Sequence, residues 1–362
     1  MAKKEPSGQT DSASPPTGGR RGRPRVALRD VAAAANVHPS TASRALNAKT
    51  KSRVNATTAA RVLDAARRVG YEPNSLARSL RTNRSYAIGM IIPDLTNPLF
   101  PPIVKGIEDR LSQDGYTLVL ANTNYDIARE EAVVRAMVSR QVDGLLLATA
   151  RREYPLVQKL LDDGVKVVLV NRTMNDAPVA SVTGDEYLGI GLAVRHLASL
   201  GHERIAYVGG DPDASTGLMR YQAFIAWMRD EGLSLDPDLV AHADRFHEEP
   251  GAAAFAELLD RGVRFTAIVA ANDRLALGCY DVLHERGLRV PEDLSVIGYN
   301  DMLFTDKFAP PLTTIRIPHY QIGVKAAQLL LEAIGDGDAP PMSVRLTPTL
   351  VVRESTAPPR AS

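Results

Sequence analysis

The sequence predicts an α/β core of two lobes, each built on a doubly wound parallel sheet, with a small all-α domain on its N-terminal side. Three observations support this class. From Ser85 onward, short apolar runs alternate with longer amphipathic segments, the pattern of parallel strands joined by helices. That stretch spans about 275 residues, which is long for one sheet and favours two. The charge also changes sign there: residues 1–84 carry 17 Lys and Arg against 5 Asp and Glu, and the remainder carries 26 against 37.

The composition of the chain indicates the cellular compartment in which the protein works. The chain has 362 residues, 44% of them apolar, which suffices for a sizeable core. The single cysteine, Cys279, excludes an intrachain disulfide and fits a reducing compartment. The N-terminus lacks the apolar segment of a secretory signal, and no apolar run approaches the roughly 20 residues that span a bilayer. We therefore expect a cytoplasmic protein with no membrane partner.

Residues 1–25 are rich in Pro, Gly and Ser and are expected to be a disordered basic arm. The arm ends in "GRRGRPR", whose arginines run from Arg20 to Arg25. A Gly-Arg-Pro core flanked by arginines is flat and cationic, which suits a narrow minor groove. A generic basic tail is the alternative.

Residues 26–72 fit three short helices, the arrangement of a helix-turn-helix domain. Asn36 and Val37 make a break after the first helix, and Pro39 suits the first turn of the second. The third helix is predicted to begin after Asn55, a good N-cap, and to stop at Gly70. The apolar face of the first helix is predicted to contain Leu28, Val31, Ala32 and Ala35.

The second helix is predicted to present a polar face to solvent. It packs through Ala42, Ala45 and Leu46, which leaves short hydroxyls and one arginine on the other side. Such side chains hydrogen-bond base edges and phosphates without filling the groove, so double-stranded DNA is the expected partner. An ordinary solvated helix face is the alternative. The outward residues are Ser40, Thr41, Ser43, Arg44 and Asn47.

Residues 73–84 are predicted to be a short hinge helix or linker. Asn74 is placed to cap it, while Leu76 and Leu80 have no core of their own. So short a helix is unstable alone in water. Its leucines must therefore meet a partner copy, DNA, or both.

From residue 85 to 355 we predict the two-lobed core. Its strand-like runs are YAIGMIIP, TLVLAN, GLLLAT, VKVVLVN, ASVTG, RIAYVGG, TAIVAAN, LSVIGYN and TLVVRES. Helix-like segments between most of them include 101–113, 126–140, 187–200, 216–231, 251–261, 274–286 and 319–334. Because ligands of open α/β sheets bind beyond the strand C-terminal ends, we expect a ligand cleft between the lobes.

Five motifs together resemble the LacI/GalR family of bacterial transcriptional regulators. They are LRDVAAAANVHPSTASRALN, GYEPNSLARSLRTN, SLGHERIAYVGG, AIVAANDRLALG and LRVPEDLSVIGYND…PPLTTI. They occur in family order and spacing from about Val26 to Ser355. The resemblance implies a helix-turn-helix head, a hinge helix and an effector-binding and dimerisation core of the periplasmic-binding-protein type I fold. Residues 356–362 remain as a tail expected to be disordered.

The resemblance also assigns DNA contacts. It implies that Pro39, Ser40 and Arg44 read bases and that Thr41, Ser43 and Asn47 hold phosphates. It places Leu80 as a wedge in a central minor-groove step, with Ala77 and Arg78 lining that groove. Two departures stand out. His38 replaces the usual serine N-cap, which predicts a weaker cap, and Pro39 cannot donate a hydrogen bond, which shifts base reading to Ser40 and Arg44.

Candidate effector residues are those at strand or helix ends that also match family ligand positions: Leu99, Phe100, Arg172, Asp185, Thr216, Arg220, Phe246, Asn272 and Asn300. For Phe100 the alternative is core packing, and for Arg220 it is a structural ion pair. Asp273 and Asp301, one residue after two strand-end asparagines, are expected to be helix or turn caps. Asn300 stands where the best-known members have Asp. An amide both donates and accepts, which together with Arg172 favours a neutral or anionic effector.

The predicted function is sequence-specific regulation of transcription, expected to be repression, with operator affinity set by a small molecule. A sugar or sugar derivative is the expected effector, and a nucleoid-associated homodimer on a pseudo-palindromic operator is the expected assembly. The alternatives are a cytoplasmic sugar-binding receptor and a sugar-modifying enzyme on the same core. Catalysis is disfavoured because G-x-S-x-G, H-E-x-x-H and P-loop motifs are missing from the sequence. The seven histidines are scattered, so neither a metal nor a cofactor is expected.

Overall fold

The computed structural model describes residues 26–46, 50–71, 82, 84–175, 178–335 and 340–360. The chain divides into two compact units, Met1–Arg81 and Thr82–Ser362.

The described part of the N-terminal unit contains three α-helices and a short 3-10 turn at Lys51–Arg53. The helices are α1 (Leu28–Ala34), α2 (Pro39–Leu46) and α3 (Ala56–Val69). Asn36 in the break has a φ of 48°, and Gly70 ends α3 with a φ of 67°, as the sequence predicts. Asn55 caps α3, because its Oδ1 accepts a hydrogen bond from the Thr57 backbone N–H at 2.9 Å.

Small side chains make up the core of this unit. Val31, Ala42 and Val62 are fully buried, one from each helix. Alanines beside them let the helix backbones approach closely, so three short helices share one core. The predicted inward face of α2 is confirmed by the burial of Ala42 and Ala45.

The larger unit contains two six-stranded sheets. The first, which we call the N-lobe sheet, has the order β11-β5-β4-β3-β1-β2. The second, the C-lobe sheet, has the order β12-β10-β9-β8-β6-β7. The strands are β1 (Ala87–Ile92), β2 (Thr117–Asn122), β3 (Gly144–Leu147), β4 (Val167–Val170), β5 (Ala180–Gly184), β6 (Ile205–Gly209), β7 (Val240–His242), β8 (Ala267–Ala270), β9 (Ser295–Asn300), β10 (Thr313–Arg316), β11 (Ser343–Leu346) and β12 (Thr349–Val351).

Two parallel-sheet lobes are therefore present, with one correction to the predicted topology. β12 pairs with β10 in the antiparallel sense, whereas every other ladder in the described residues is parallel. β7, β10 and β11 have no counterpart among the predicted apolar runs. They are three or four residues long, and β11 alternates between exposed and half-buried residues, so none of them reads as a buried parallel strand.

Eight helices in the described residues of this unit cover the sheets. They are α4 (Phe100–Gln113), α5 (Ile127–Ser139), α6 (Pro155–Asp162), α7 (Glu186–Ser199), α8 (Ser215–Asp230), α9 (Glu248–Asp260), α10 (Asp273–Glu285) and α11 (His319–Gly335). Short 3-10 turns lie at Pro237–Leu239 and Thr305–Lys307. None of the helices in the described part of the chain combines the length and apolarity that crossing a bilayer requires.

The chain passes between the lobes three times. It leaves the N-lobe sheet after β5, because α7 packs against α8 and against strands β8, β10 and β12 of the C-lobe. It returns after β10, because α11 packs against α4 and against β3, β4 and β5. The last passage joins β11 of one sheet to β12 of the other.

Glycines allow the closest helix contact in the N-lobe. A Cβ on Gly106 of α4 would lie 2.1 Å from the carbonyl oxygen of Tyr320, and a Cβ on Gly323 of α11 would lie 2.0 Å from that of Ile103. Each glycine therefore receives the backbone of the other helix, and α4 and α11 pack without intervening side chains.

Candidate functional site

The exposed face of α2 is the candidate DNA-reading surface. Pro39, Ser40 and Arg44 are exposed, and Thr41 and Ser43 are half-buried. Ala42 and Ala45 on the opposite face are buried in the three-helix core. The helix therefore presents hydroxyls and one guanidinium outward, as the sequence predicts. Asn47, Ala77, Arg78 and Leu80, together with the arm at residues 20–25, lie outside the described residues.

His38 occupies the N-cap position of α2. Its Nδ1 lies 2.8 Å from the Ser40 hydroxyl oxygen and 3.3 Å from the Ser40 backbone nitrogen, whose N–H it accepts. The imidazole thus caps the helix in place of the expected serine, and whether this cap is weaker, as the substitution predicts, stays a prediction. It also holds the hydroxyl of a candidate base-reading residue.

The cleft between the lobes contains two adjacent chambers. We call the chamber lined by Asn272 and Asn300 the inner chamber and the one lined by Glu130 and Asp211 the outer chamber; counting space open to solvent, they measure about 370 Å³ and 550 Å³. Pro93, Tyr125, Arg172 and Phe246 line both. The inner chamber is lined by these four and by Asn97, Leu99, Phe100, Asn171, Thr216, Arg220, Asn272 and Asn300.

The structure brings eight of the nine predicted effector residues to the wall of the inner chamber. They come from both lobes, because Leu99 and Phe100 lie after β1 of the N-lobe, while Asn272 follows β8 and Asn300 ends β9 of the C-lobe. Phe100 and Phe246 are 3% and 8% exposed, so they supply buried aromatic walls. Asp185 is the exception. It does not line either chamber, and its Oδ1 accepts the Leu188 N–H at 3.0 Å as the N-cap of α7.

Arg220 is held by a buried ion pair. Its Nε donates to Glu186 Oε2 at 2.6 Å, and one terminal nitrogen donates to the Ala271 carbonyl at 2.6 Å. Its guanidinium carbon lies 3.9 Å from the centre of the Tyr299 ring. The structural ion pair is therefore formed, and it fixes the orientation of the guanidinium edge that lines the chamber.

Arg172 has a different environment. One terminal nitrogen donates to the Thr216 hydroxyl at 2.9 Å, a contact that crosses from the N-lobe to the C-lobe. Its guanidinium carbon lies 5.8 Å from the Phe246 ring centre. Burial lowers the pKa of the Arg172 guanidinium. Among the residues that the structure describes, no carboxylate lies within ion-pair distance of it.

The side-chain amides of Asn272 and Asn300 differ in how many hydrogen bonds they make. Asn272 caps α10, because its Oδ1 accepts the Leu275 N–H at 2.8 Å, and its Nδ2 donates to the Phe246 carbonyl at 3.4 Å. Asn300 is 4% exposed, has a φ of 115° and has a buried Oδ1 without a hydrogen-bond partner. A buried acceptor of this kind is costly unless a ligand or water donates to it.

Neither Asp273 nor Asp301 is a cap, which corrects the sequence prediction. Asp273 accepts from the Thr314 hydroxyl at 2.5 Å and from the Met302 N–H at 2.8 Å, so it ties α10 to the end of β9. Asp301 pairs with Arg316 at 2.7 Å and with Arg353 at 2.6 Å, near two of the passages between lobes. A carboxylate at the end of a strand can cap a helix or pair with a distant residue, and its position in the sequence does not decide between these partners.

Sequence reasoning missed three polar residues of the inner chamber: Asn97, Tyr125 and Asn171. Asn171 directly follows β4 and has a φ of 58°, so the strand-end signal that found Asn272 applies to it too. Tyr125 has a φ of 61° in the loop after β2. The centres of its ring and of the His247 ring are 5.9 Å apart in an edge-on arrangement. The two residues are distant in sequence, so no local sequence pattern predicts this contact.

An ion cluster closes one side of the cleft. Asp94, after β1 of the N-lobe, places Oδ2 3.2 Å from His247 Nε2 and 3.1 Å from an Arg274 terminal nitrogen, both in the C-lobe. Arg274 also donates to Glu248 at 2.6 Å. Burial alone would raise the pKa of Asp94, but hydrogen bonds from Thr96, the charge of His247 and a hydrogen bond from Arg274 hold it below its usual value. We call these four residues the interlobe cluster.

The outer chamber has acids and bases on its wall in similar numbers. Glu130, Asp211 and Asp244 face Arg151, Arg172 and Arg245. Burial raises the pKa of Glu130, whose carboxylate accepts a hydrogen bond from Thr149.

A three-helix head with a polar, exposed second helix and a two-lobed parallel α/β core with a ligand-sized cleft define a DNA-binding regulator controlled by a small molecule. Comparison with known proteins agrees. Residues 27–74 match the family described as bacterial regulatory proteins, lacI family, and residues 194–356 match the periplasmic binding protein-like domain. The chain belongs to the LacI family of bacterial transcriptional regulators.

Relatives match nearly the whole chain. The ribose operon repressor of Escherichia coli K12 is 33% identical over 332 residues, which is 91% of this chain and 99% of the relative. Among solved structures, the Lac repressor dimer bound to operator and an anti-inducer has a TM-score of 0.80 at 27% identity, covering 92% of this chain and 99% of that chain. A complex of the transcriptional regulator CelR with cellobiose has a TM-score of 0.71 at 32% identity, covering 91% and 100%.

Proposed function

We propose that this chain represses transcription as a homodimer on a pseudo-palindromic operator and that a sugar or sugar derivative in the inner chamber sets its operator affinity. The observation that carries the proposal is the inner chamber itself. It is buried, polar and aromatic, and its wall is shared by the two lobes. The relatives named for ribose and cellobiose support a sugar as the ligand. Because its partner is DNA, we place the protein in the cytoplasm. In this proposal the ligand is bound and released without being chemically changed.

We assign DNA reading to the exposed face of α2. Ser40 and Arg44 read bases, with Pro39 beside them, and Thr41, Ser43 and Asn47 hold phosphates. Leu80 wedges into the minor groove from a hinge helix at residues 73–84, with Ala77 and Arg78 beside it. The nine cleft residues predicted from the sequence remain the effector candidates, although Asp185 and Asn272 act first as helix caps.

Exposed apolar side chains on both lobes support the homodimer. Val119 and Leu120 are 39% and 38% exposed on β2, which is an edge strand of the N-lobe sheet. Leu303 and Phe304 are 65% and 69% exposed beside the C-lobe. A second copy that covered the edge of β2 and the loop after β9 would bury these side chains, and one similar structure is named as a dimer on its operator.

The first test measures DNA binding. Selection from random duplexes with the purified protein should yield a two-fold related site. Arg44→Ala should then weaken binding to that site by about 1–3 kcal/mol while changing affinity for random DNA little. Fluorescence anisotropy at fixed salt gives both values.

Arg61→Ala is the matched control, because it removes one exposed positive charge from α3 rather than from α2. It should lower affinity for both DNAs only slightly. Selection that yields no preferred sequence would contradict the function, and equal losses on the two DNAs would reassign Arg44 to a phosphate.

A further inference from the structure

The inner chamber contains a positive charge that the described residues leave unmatched. Arg220 is neutralised by Glu186. Arg172, in contrast, donates to the uncharged hydroxyl of Thr216, and no described carboxylate lies within 4.0 Å of its guanidinium. A buried guanidinium stays ionised, so the chamber carries one net positive charge.

Apart from Arg172 and Arg220, the wall of the inner chamber is uncharged and combines polar with apolar side chains. Its lining contains no carboxylate, and besides the two arginines and Thr216 it has four asparagines: Asn97, Asn171, Asn272 and Asn300. Amides donate to and accept from hydroxyl groups equally well. The unpartnered Oδ1 of Asn300 specifically requires a donor, which a ligand hydroxyl would supply.

Asp211 of the outer chamber and Glu186 favour the charged form of Arg172 electrostatically, but neither lies within the 4.0 Å of an ion pair. Asp211, Asp244 and Glu130 share their wall with Arg151 and Arg245, and Asp244 lies 3.7 Å from Arg245. The lining of the inner chamber does not include them. An anion in the inner chamber would therefore meet Arg172 without facing a carboxylate on the same wall.

We propose that the effector is an anionic sugar derivative: a polyhydroxylated ring that carries a phosphate or a carboxylate. The anion lies on Arg172, a ligand hydroxyl donates to Asn300 Oδ1, and Phe100 and Phe246 cover the apolar faces of the ring. This inference rests on the proposed effector role of the cleft and names the class of molecule that fits it. It separates phosphate from carboxylate only by experiment.

The first experiment uses inorganic phosphate as the probe and thermal unfolding of the full chain as the readout. At constant ionic strength, phosphate should raise the Tm of the wild type above its value in chloride, because a ligand of the folded state stabilises it by mass action. Arg172→Met should lose this rise and Arg172→Lys should keep part of it. Arg245→Met, which removes an exposed arginine from the outer wall, should respond as the wild type does.

Stability without phosphate gives an independent readout. Because Arg172 lacks a counterion in the described structure, Arg172→Met should unfold at or above the wild-type Tm in chloride. A Tm lower by more than about 5 °C would show that Arg172 is a structural cation and would overturn the proposal. An equal phosphate response in wild type and Arg172→Met, or none in either, would overturn it as well.

The second experiment compares D-ribose, D-ribose 5-phosphate and D-ribonate by titration calorimetry. At least one anionic compound should bind about tenfold or more tightly than ribose, since charge-assisted hydrogen bonds are the stronger kind. Ribose binding as tightly as both anions would contradict the assignment. If none of the three binds, the phosphate result decides. DNA binding enters neither experiment, so failure of the repressor function and failure of this ligand class remain distinguishable.

Discussion

Asp273 is a fully buried carboxylate whose environment favours the protonated form. Burial raises its pKa to about 7, although hydrogen bonds from the Thr314 hydroxyl and the Met302 N–H act in the opposite direction. Its ordinary value is 3.8, so the folded state binds a proton that the unfolded state has released between these limits. Asp273 therefore costs stability as the pH rises from about 4 to about 7.

Asp273→Asn should remove that dependence. The free energy of unfolding of the wild type should fall relative to the variant by about 1 kcal/mol per pH unit across this window and run parallel above it. Buried His319, with its pKa lowered to about 4, gives the opposite slope, but it is common to both proteins and cancels in the difference. Denaturant unfolding at several pH values measures the difference, and parallel curves from pH 4 to 7 would show that Asp273 stays ionised.

At the same scale, the sequence located the inner chamber better than it assigned roles within it. The rule that ligands meet the ends of parallel strands found Asn272 and Asn300. It did not distinguish Asp185, a cap, from Asn300, whose acceptor is unpartnered, because both follow a strand. Partners such as Glu186 for Arg220 are 34 residues apart and come together only through packing of α7 on α8.

At the scale of elements, the contact between α4 and α11 depends on two glycines rather than on apolar side chains. The backbone carbonyl of Ile103 would meet a Cβ at position 323, and a backbone atom cannot move aside as a flexible side chain can. Helix spacing in the N-lobe is thus fixed by main-chain contact.

Gly323→Ala should destabilise the core by about 1–3 kcal/mol or more, because overpacking forces the two helices apart. Gly335→Ala at the end of the same helix is the control, since nothing lies within 4 Å of its added Cβ. That change should be neutral or stabilising by up to about 1 kcal/mol. Chemical denaturation compares them, and equal effects of the two substitutions would contradict this account of the contact.

The long apolar runs predicted their strands well, because a strand that is covered on both faces must consist almost entirely of apolar residues. β10 was missed since "TTIR" contains one large apolar residue, although Thr313 and Thr314 are both fully buried. Their hydroxyls bind Thr356 and Asp273, and these bonds make polar burial possible. These hydrogen-bond partners are brought close only by the tertiary fold, so the local sequence does not predict that the two threonines are buried.

At the scale of the whole molecule, the interlobe cluster joins lobes that must move if the ligand is to act at a distance. Asp94 and Arg274 side chains are 10% and 11% exposed, so their attraction is screened less than that of a surface pair. We infer that the contacts of Asp94 with Arg274 and His247 favour the arrangement of the lobes described here over a more open one.

Asp94→Asn should open the cleft more often, because Arg274 and His247 lose their N-lobe partner. Amide hydrogen exchange in the loop from Pro93 to Phe100 should become about tenfold faster, which corresponds to about 1.4 kcal/mol. Asp306→Asn is the control, since its carboxylate pairs at the surface with Lys307 in the same lobe. Unchanged exchange in Asp94→Asn would show that the cluster does not hold the lobes.

The three passages between lobes also determine the order in which the protein can be completed on the ribosome. β5 ends at Gly184, but its neighbour β11, which fills the other edge of that strand, ends at Leu346. About 160 residues separate them, so at about 5–20 residues per second the edge of β5 stays open for roughly 8–30 s during synthesis. α11, which covers the same sheet, is made in that interval as well. The N-lobe sheet therefore begins first but is completed only after β6 to β10 of the C-lobe have been made, and until then its open edge must be kept from pairing with other chains.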